Sequence, residues 1–327
     1  MRRQATYTEQ RMNAFALSVA LSAFLLGTLF GSFLNVCVSR LPRHRSIVAP
    51  RSQCPQCHAP IRWYDNIPLL SFVWLGGKCR DCHTRIPWRY PLVELMVGVW
   101  FAFVTWRAEL LLPQMFSFET TQRIYAVYPP SFAWESTAIL AVLGFLLIGL
   151  LVMDWETHRL PDAFTLTGTA IGFIFCCVQA YLLAPGAGDV HLNGKNPITS
   201  AGSTADAGNV VLTGAEAMVL SRLGAILAAA ALILIVRWLY KKIRHQEGLG
   251  LGDAKLMALL AAFLGFWPSM LALFVGIFLC AIYAVTLLAR RRASGTTPLP
   301  LGTFLCLGGL FAAIFGEPLI SWYRTLL

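Results

Sequence analysis

The chain has 327 residues, of which 57% are hydrophobic and only 13% carry a charge. Soluble domains carry about 25% charged residues, so this composition excludes an ordinary soluble protein and predicts an all-α polytopic membrane protein. The formal net charge of +10 predicts no nucleic-acid partner, because Lys and Arg gather in cytoplasmic loops and against the anionic headgroups of the lipid bilayer.

Residues 1–39 are predicted to contain the first transmembrane helix, within residues 14–38. The uncharged run from Met12 to Ser39 is longer than the apolar region of a secretory signal, which spans about 7–15 residues. No small-residue cleavage site follows the run. We therefore interpret it as a membrane helix.

Residues 40–90 form the one sizeable polar insert between apolar segments. The insert has nine Lys and Arg residues against two Asp residues, so the positive-inside rule places it in the cytoplasm. Residues 91–135 are predicted to hold the second transmembrane helix, which contains Glu94, and an outer linker.

Residues 136–327 are predicted to form a transmembrane domain of six helices. Its apolar runs are residues 136–153, 163–183, 217–240, 256–289 and 301–323. The fourth run is too long for one span of about 20 residues, and Pro268 divides it into two helices with a turn at residues 267–269. Residues 185–214 are predicted to be a flexible outer loop. The whole chain then has about eight transmembrane helices, with both termini outside and no internal repeat.

Four cysteines of the insert form two pairs, Cys54-x-x-Cys57 and Cys79-x-x-Cys82, separated by 21 residues. Paired knuckles of this kind predict a structural zinc site closed by four thiolates, as in a zinc ribbon. A redox pair and unliganded thiols are the alternatives. A nucleic-acid-binding zinc ribbon is a rival interpretation, but tethering between two spans favours contact with lipid headgroups.

Two aspartates lie at the ends of apolar runs and are the candidate catalytic pair. Asp154 ends one run, and Asp253 follows Gly250-Leu251-Gly252 just before another. A carboxylate at the edge of the hydrocarbon region is costly and marks a functional site, although Asp253 could also simply cap the following helix. Because a helix dipole disfavours an anion at a C-terminus and favours one at an N-terminus, we expect Asp154 to be the acid and Asp253 the base.

Four further residues are predicted to support the substrate or the loops. Gly250 and Gly252 would let the backbone turn tightly and approach another segment. Asp162 is the expected N-cap of the next helix. Glu94 is expected to pair with an arginine such as Arg89, or to contact substrate.

Together these motifs resemble the type IV prepilin peptidase family, the bifunctional leader peptidase/N-methyltransferases of type IV pilus and type II secretion systems. The resemblance runs from Gly31 to about Gly309. It is carried by Gly31-Ser-Phe-Leu-Asn-Val36, Arg40-Leu-Pro42, the cysteine motifs, Asn66-Ile-Pro-Leu-Leu-Ser71, Arg89-Tyr-Pro-Leu-Val-Glu-Leu95, residues 154–162 and Gly250-x-Gly-Asp-x-Lys255.

The resemblance implies an aspartic protease of the Gly-x-Gly-Asp type in the bacterial inner membrane, with its site near the cytoplasmic face. Asp154 and Asp253 fall on the catalytic aspartates, which makes residues 136–327 the catalytic domain. The implied substrates are prepilins or pseudopilins, cleaved after a glycine. The implied second activity is methylation of the new N-terminus with S-adenosylmethionine as the donor, for which no site residue is assigned.

The chain departs from this family in one motif, and rival functions remain open. Members typically have Pro-Phe-Gly-Pro before the last span, whereas this chain has Pro300-Leu-Gly-Thr303. The alternative function is a membrane transporter that uses the aspartates as a proton or metal relay, and a second rival is a non-catalytic scaffold. Transporters usually place charges near the midplane and repeat one half of the fold, which favours the protease. The sequence does not indicate an oligomeric state.

Overall fold

The computed structural model describes residues 2–114, 131–183, 215–244, 250–290 and 299–326. This described part of the chain contains nine α-helices and two short 3-10 helices, and its only β contacts are two isolated bridges in the insert. The helices are α1 Arg2–Arg40, α2 Leu70–Trp74, α3 Arg89–Gln114, α4 Ser131–Thr157, α5 Asp162–Leu183, α6 Ala215–Arg244, α7 Leu251–Leu264, α8 Phe266–Ala289 and α9 Leu301–Arg324.

Seven of the described helices are long and apolar enough to cross a membrane. These spans are Ala16–Arg43, Arg89–Ala108, Ser136–Thr157, Asp162–Ala180, Met218–Ile243, Phe266–Ala289 and Leu301–Tyr323. They confirm the predicted all-α polytopic membrane class with a small cysteine-containing insert. The eighth predicted helix is α7, whose 14 residues extend about 21 Å and are too short to cross a hydrocarbon core of about 30 Å.

The break in the apolar run from Leu256 to Ala289 lies at Gly265, not at the predicted turn on residues 267–269. Gly265 has a φ of +85°, which glycine adopts without the steric cost of a side chain. Pro268 lies in the first turn of α8, where its missing N–H costs nothing. Pro268 is therefore compatible with α8, and Gly265 is the residue that separates α7 from α8.

The chain divides into two compact units, Met1–Met153 and Asp154–Leu327. In the first unit, α1 packs against α3. A Cβ atom on Gly31 would lie 2.6 Å from Glu94 Cα, and one on Gly98 would lie 2.8 Å from Thr28 Cγ2. Small residues thus bring the two helices together, as is usual inside membranes.

Helix α7 lies at the centre of the second unit and packs against α5, α6, α8 and α9. Nine of its 14 residues are buried. A helix that is apolar on all sides is expected in the interior. Because α7 is surrounded by other helices, it is held inside the bundle although it is too short to span the membrane, and its N-terminal residues are fixed in place.

At each end of α7, a charged side chain opposes the partial charge of the helix dipole. Arg222 on α6 donates a hydrogen bond to the Phe263 carbonyl at 3.3 Å, at the end where carbonyls have no partner within the helix. Asp253 lies in the first turn, where a helix dipole favours an anion. The side chain of Arg222 therefore stabilises the C-terminal end of the central helix.

The predicted division of the chain into residues 1–39, 40–90, 91–135 and 136–327 stays a prediction. Most of the predicted outer linker and all of the predicted loop at residues 185–214 lie outside the described residues.

Candidate active site and metal centre

Asp154 is buried near the C-terminal end of α4 and is held by the first turn of α9. Its side chain is among the buried polar groups, with an exposure of 6% for the residue. The Oδ2 atom accepts a hydrogen bond from the Thr303 backbone N–H at 2.6 Å and another from the Thr303 hydroxyl at 2.9 Å. Two donors from one residue therefore converge on one oxygen of this carboxylate.

Asp253 lies in the first turn of α7 and is also buried, with 9% exposure. Its Oδ2 accepts a hydrogen bond from the Gly250 backbone N–H at 3.1 Å, so Asp253 does cap its own helix. Burial nevertheless raises the pKa of Asp253 to about 6, more than the Gly250 hydrogen bond lowers it. This direction is opposite to the one that the helix dipole alone predicts.

The structure brings Asp154 and Asp253 to one place in the second unit. The negative charge of Asp154 contributes to the raised pKa of Asp253, so the two carboxylates lie within electrostatic reach. The Leu160 side chain lies close to both Gly302 and Gly252: a Cβ on Gly302 would be 2.9 Å from Asp154 Cγ and 3.1 Å from Leu160 Cδ1, and a Cβ on Gly252 would be 3.1 Å from Leu160 Cβ. The ends of α4, α7 and α9 therefore form a single acidic site.

Only one of the two glycines before Asp253 has the predicted geometric role. Gly252 is needed for the close approach to Leu160. Gly250 has a φ of −75° and a ψ of 152°, an extended conformation open to any residue, and a Cβ there would meet Asp253 Oδ2 at an ordinary 3.5 Å. The contribution of Gly250 is its N–H, not a tight turn.

Asp162 has a different contact from the one predicted. The Pro161 carbonyl accepts the first backbone hydrogen bonds of α5, from Phe164 and Thr165, so Pro161 occupies the N-cap position and Asp162 is already helical. The Asp162 carboxylate pairs with the Lys255 ammonium group on α7. Lys255 thereby joins α7, the helix that carries Asp253, to the first turn of α5.

Glu94 acts within the first unit, where it ties α3 to the insert. Its Oε2 accepts a hydrogen bond from the Leu69 backbone N–H at 2.8 Å, and Ser32 also hydrogen bonds to the carboxylate. Leu69 has a φ of +58°, a conformation that non-glycine residues rarely adopt. The predicted partner Arg89 packs over the Tyr90 ring at 4.5 Å. Glu94 is thus a residue that supports a loop.

The four cysteines of the insert form a candidate zinc centre. One Sγ atom from each of Cys54, Cys57, Cys79 and Cys82 lies within 4.8 Å of the others, and Cys54 Sγ is 3.7 Å from Cys82 Sγ. A tetrahedral zinc with Zn–S bonds of about 2.3 Å places its sulfurs about 3.8 Å apart. The donor set and spacing therefore fit a structural zinc ion.

The insert contains an internal repeat that our sequence analysis missed. Residues 54–63 and 79–88 both follow the pattern Cys-x-x-Cys-His-x-x-Ile-x-Trp. Each copy closes with the same bond, from Cys54 N to Ala59 O at 3.0 Å and from Cys79 N to Thr84 O at 2.8 Å. His58 and His83 have positive φ values of 58° and 55° and shape the turns. Among the described residues, the group that could hold a metal ion contains only the four cysteines.

A pair of buried aspartates within an apolar helical bundle is the arrangement of a membrane-embedded aspartic peptidase. Comparison with known proteins indicates the same class. Residues 25–108 match the family model for the bacterial peptidase A24 N-terminal domain, and residues 207–285 match that of the type IV leader peptidase family. The chain belongs to the type IV leader peptidase family. Asp253 lies inside the second matched stretch, whereas Asp154 lies between the two.

Several curated relatives match over almost their whole length. A protein of Aeromonas salmonicida is 29% identical, with 92% of each chain covered, and one of Pseudomonas aeruginosa is 30% identical, with 94% covered. A protein of Neisseria gonorrhoeae is 29% identical, with 81% covered. All three are named prepilin leader peptidase/N-methyltransferase. No solved structure matches the chain.

Proposed function

We propose that the chain is a prepilin leader peptidase that uses Asp154 and Asp253 to hydrolyse a peptide bond after a glycine. The observation that carries the proposal is the juxtaposition of the two buried carboxylates, one of which raises the pKa of the other. Paired carboxylates of unequal proton affinity are the usual means of acid–base hydrolysis without a covalent intermediate. The names of the relatives support a prepilin or pseudopilin as the substrate.

The pair works by sharing one proton. One carboxylate accepts a proton from a water molecule while the water oxygen attacks the scissile carbonyl carbon. The other, protonated carboxyl donates its proton to the carbonyl oxygen. When the tetrahedral intermediate collapses, the first carboxyl protonates the leaving amine and the second recovers a proton from the hydroxyl group, so the site returns to its starting state.

The proposed orientation places the site near the cytoplasmic face of the inner membrane. The basic insert at residues 40–90 supports this orientation through the positive-inside rule. A substrate with a basic leader and an apolar helix would then keep its leader in the cytoplasm and its helix in the bilayer, with the scissile bond at the aspartates. A zinc ion on the four insert cysteines would fold the insert and take no part in hydrolysis.

The proposal includes methylation of the new N-terminus with S-adenosylmethionine as the donor. Its support is the N-methyltransferase activity in the names of the relatives. No residue is assigned to this step.

The test is incubation of the purified protein with a prepilin, followed by mass spectrometry for loss of the leader and gain of a methyl group. Asp154→Asn and Asp253→Asn should each reduce cleavage to background while the protein remains folded. Glu317→Gln makes the same carboxylate-to-amide change on an exposed residue of α9 and should cleave normally. A transporter would cleave nothing, and full cleavage by either aspartate variant would refute the proposed pair.

A further inference from the structure

Helix α2 of the polar insert presents apolar side chains outward. Leu70, Val73 and Trp74 are 54%, 76% and 80% exposed. They lie at positions i, i+3 and i+4 of this helix, so they share one face, which we call the α2 face. Ser71 is buried instead, and its hydroxyl donates to the Tyr64 carbonyl at 3.1 Å. The outward side of α2 is therefore the apolar one, the reverse of the usual arrangement for a helix that faces water.

Two contacts hold α2 next to the start of a membrane span. The Leu69 N–H, just before the helix, donates to Glu94 Oε2 at 2.8 Å. Glu94 is five residues into the span Arg89–Ala108, which corresponds to about 8 Å along the helix axis. The Phe72 ring of α2 lies 5.0 Å from that of Trp88, the residue before this span. These contacts place α2 at the depth of the membrane–water interface, where tryptophan is enriched.

Two cations adjoin α2 on its C-terminal side. Lys78 and Arg85, which we call the cation pair, form an isolated antiparallel bridge that begins four residues after the helix, and both are exposed. Like charges directly opposite each other in such a pairing are destabilising. The corresponding bridge of the first cysteine repeat joins Gln53 to Pro60 and has no charge. A phosphate group beside the cation pair would relieve its repulsion.

We propose that α2 is an interfacial helix that docks the insert on anionic phospholipid. The α2 face lies between the headgroups and the acyl chains, and the cation pair binds lipid phosphate. Lipid fits this surface because α2 is continuous with a membrane span, and because the insert has nine Lys and Arg residues against two Asp residues. One of those acids, Asp65, already accepts a hydrogen bond from Arg80 at 2.9 Å. The proposal does not depend on cleavage of any substrate.

Trp74 serves as the probe in the first test. Wild type and Trp74→Phe are reconstituted at one copy per nanodisc of phosphatidylcholine and phosphatidylglycerol, and the difference between their tryptophan emissions reports Trp74. Phospholipid brominated on the acyl chain near the headgroup should quench this difference emission, and iodide in the buffer should not. Quenching by iodide and none by brominated lipid would place Trp74 in water and overturn the proposal.

The same measurement distinguishes the other possible occupants of the α2 face. If iodide quenches Trp74 until a prepilin is added, the face binds substrate. If iodide quenches Trp74 in nanodiscs with one copy of the chain but not in those with two, the face joins two copies. Either result overturns the docking on lipid. Neither readout requires cleavage, so failure of the proposed peptidase activity would be seen separately.

A charge on the α2 face should expel it from the bilayer. Val73→Asp should make Trp74 accessible to iodide, because a carboxylate is costly below the headgroups. Val48→Asp makes the same change at an 83% exposed position of the insert outside α2, and it should leave the quenching of Trp74 unchanged. Thermal unfolding and metal content close to those of wild type show that the insert remains folded. A Trp74 that stays inaccessible to iodide in Val73→Asp overturns the proposal.

The cation pair is tested by lipid selectivity. When a minority of the lipid is brominated, brominated phosphatidylglycerol should quench Trp74 more than the same fraction of brominated phosphatidylcholine. Lys78→Gln/Arg85→Gln should reduce this preference about fivefold or more, fivefold being the factor for one cation near an anionic membrane surface. Arg45→Gln/Arg51→Gln removes the same charge from exposed positions elsewhere in the insert and should retain most of the preference. An equal loss in both double variants overturns the role of the cation pair.

Discussion

Gly302 offers a test of how accurately Asp154 must be placed. A Cβ atom on Gly302 would lie 2.9 Å from Asp154 Cγ and 3.0 Å from its Oδ2, whereas ordinary van der Waals contact begins at 3.4 Å. Gly302→Ala must therefore displace the Asp154 carboxyl by about 0.5 Å, or shift the first turn of α9 by the same amount. Either movement lengthens the hydrogen bonds from Thr303.

The loss of cleavage rate in Gly302→Ala can be estimated from how strongly catalysis depends on the position of the reacting groups. A misplacement of 1 Å costs about 100-fold in rate, so a displacement of about half that size should cost about tenfold, or about 1.4 kcal/mol of transition-state stabilisation. The loss should appear in kcat, because the added methyl group meets the Asp154 carboxyl. Helix propensity by itself favours alanine over glycine, so a loss of activity without a loss of stability would identify the effect as positional.

The assay is steady-state prepilin cleavage in detergent, together with thermal unfolding of the same samples. Gly224→Ala is the matched control, because a Cβ at this position in α6 meets nothing within 4 Å. The control should cleave at the wild-type rate and gain about 0.5–1 kcal/mol of stability. If Gly302→Ala also cleaves within twofold of wild type, the carboxyl position is not what limits the reaction, and the reasoning from these contacts is wrong.

Three further outcomes follow from the structure. Asp253→Asn should unfold at a higher temperature than wild type at neutral pH, because the native carboxyl has a pKa of about 6 against an ordinary 3.8. Between these two pKa values Asp253 is more protonated in the native protein than in the unfolded chain, so the stability of wild type falls as pH rises from about 4 to about 6. The difference in unfolding free energy between Asp253→Asn and wild type should therefore reach about 3 kcal/mol above pH 6 and vanish below about pH 4, which calorimetry across this pH range would measure. Arg222→Leu should lower the unfolding temperature by leaving the last carbonyls of α7 without a partner, whereas Arg222→Lys should recover part of the loss. Cys57→Ser should reduce zinc from about one ion per chain to a small fraction by metal analysis, and retention of full zinc would mean that another ligand set binds it.

The sequence was sufficient to predict seven of the membrane helices and the cluster of four cysteines, because both depend on local patterns. A long uncharged run specifies a span by length alone, and two Cys-x-x-Cys pairs specify four thiolates. Gly265 shows the limit of this kind of reasoning. Proline is the stronger helix breaker in general, but its position within the first turn of α8 makes it harmless, and only the backbone φ of the glycine reveals where the chain turns.

The hydrogen-bond partners of the two aspartates lay beyond the sequence for a different reason. A helix dipole can be inferred from chain position, but burial and hydrogen bonding depend on residues that are distant in sequence. Thr303 is 149 residues away from Asp154. The one visible signal was the departure from Pro-Phe-Gly-Pro at this position. Replacing a residue that has no N–H by one with two donors adds hydrogen bonds to the Asp154 carboxylate, a contact that the order of residues along the chain does not reveal.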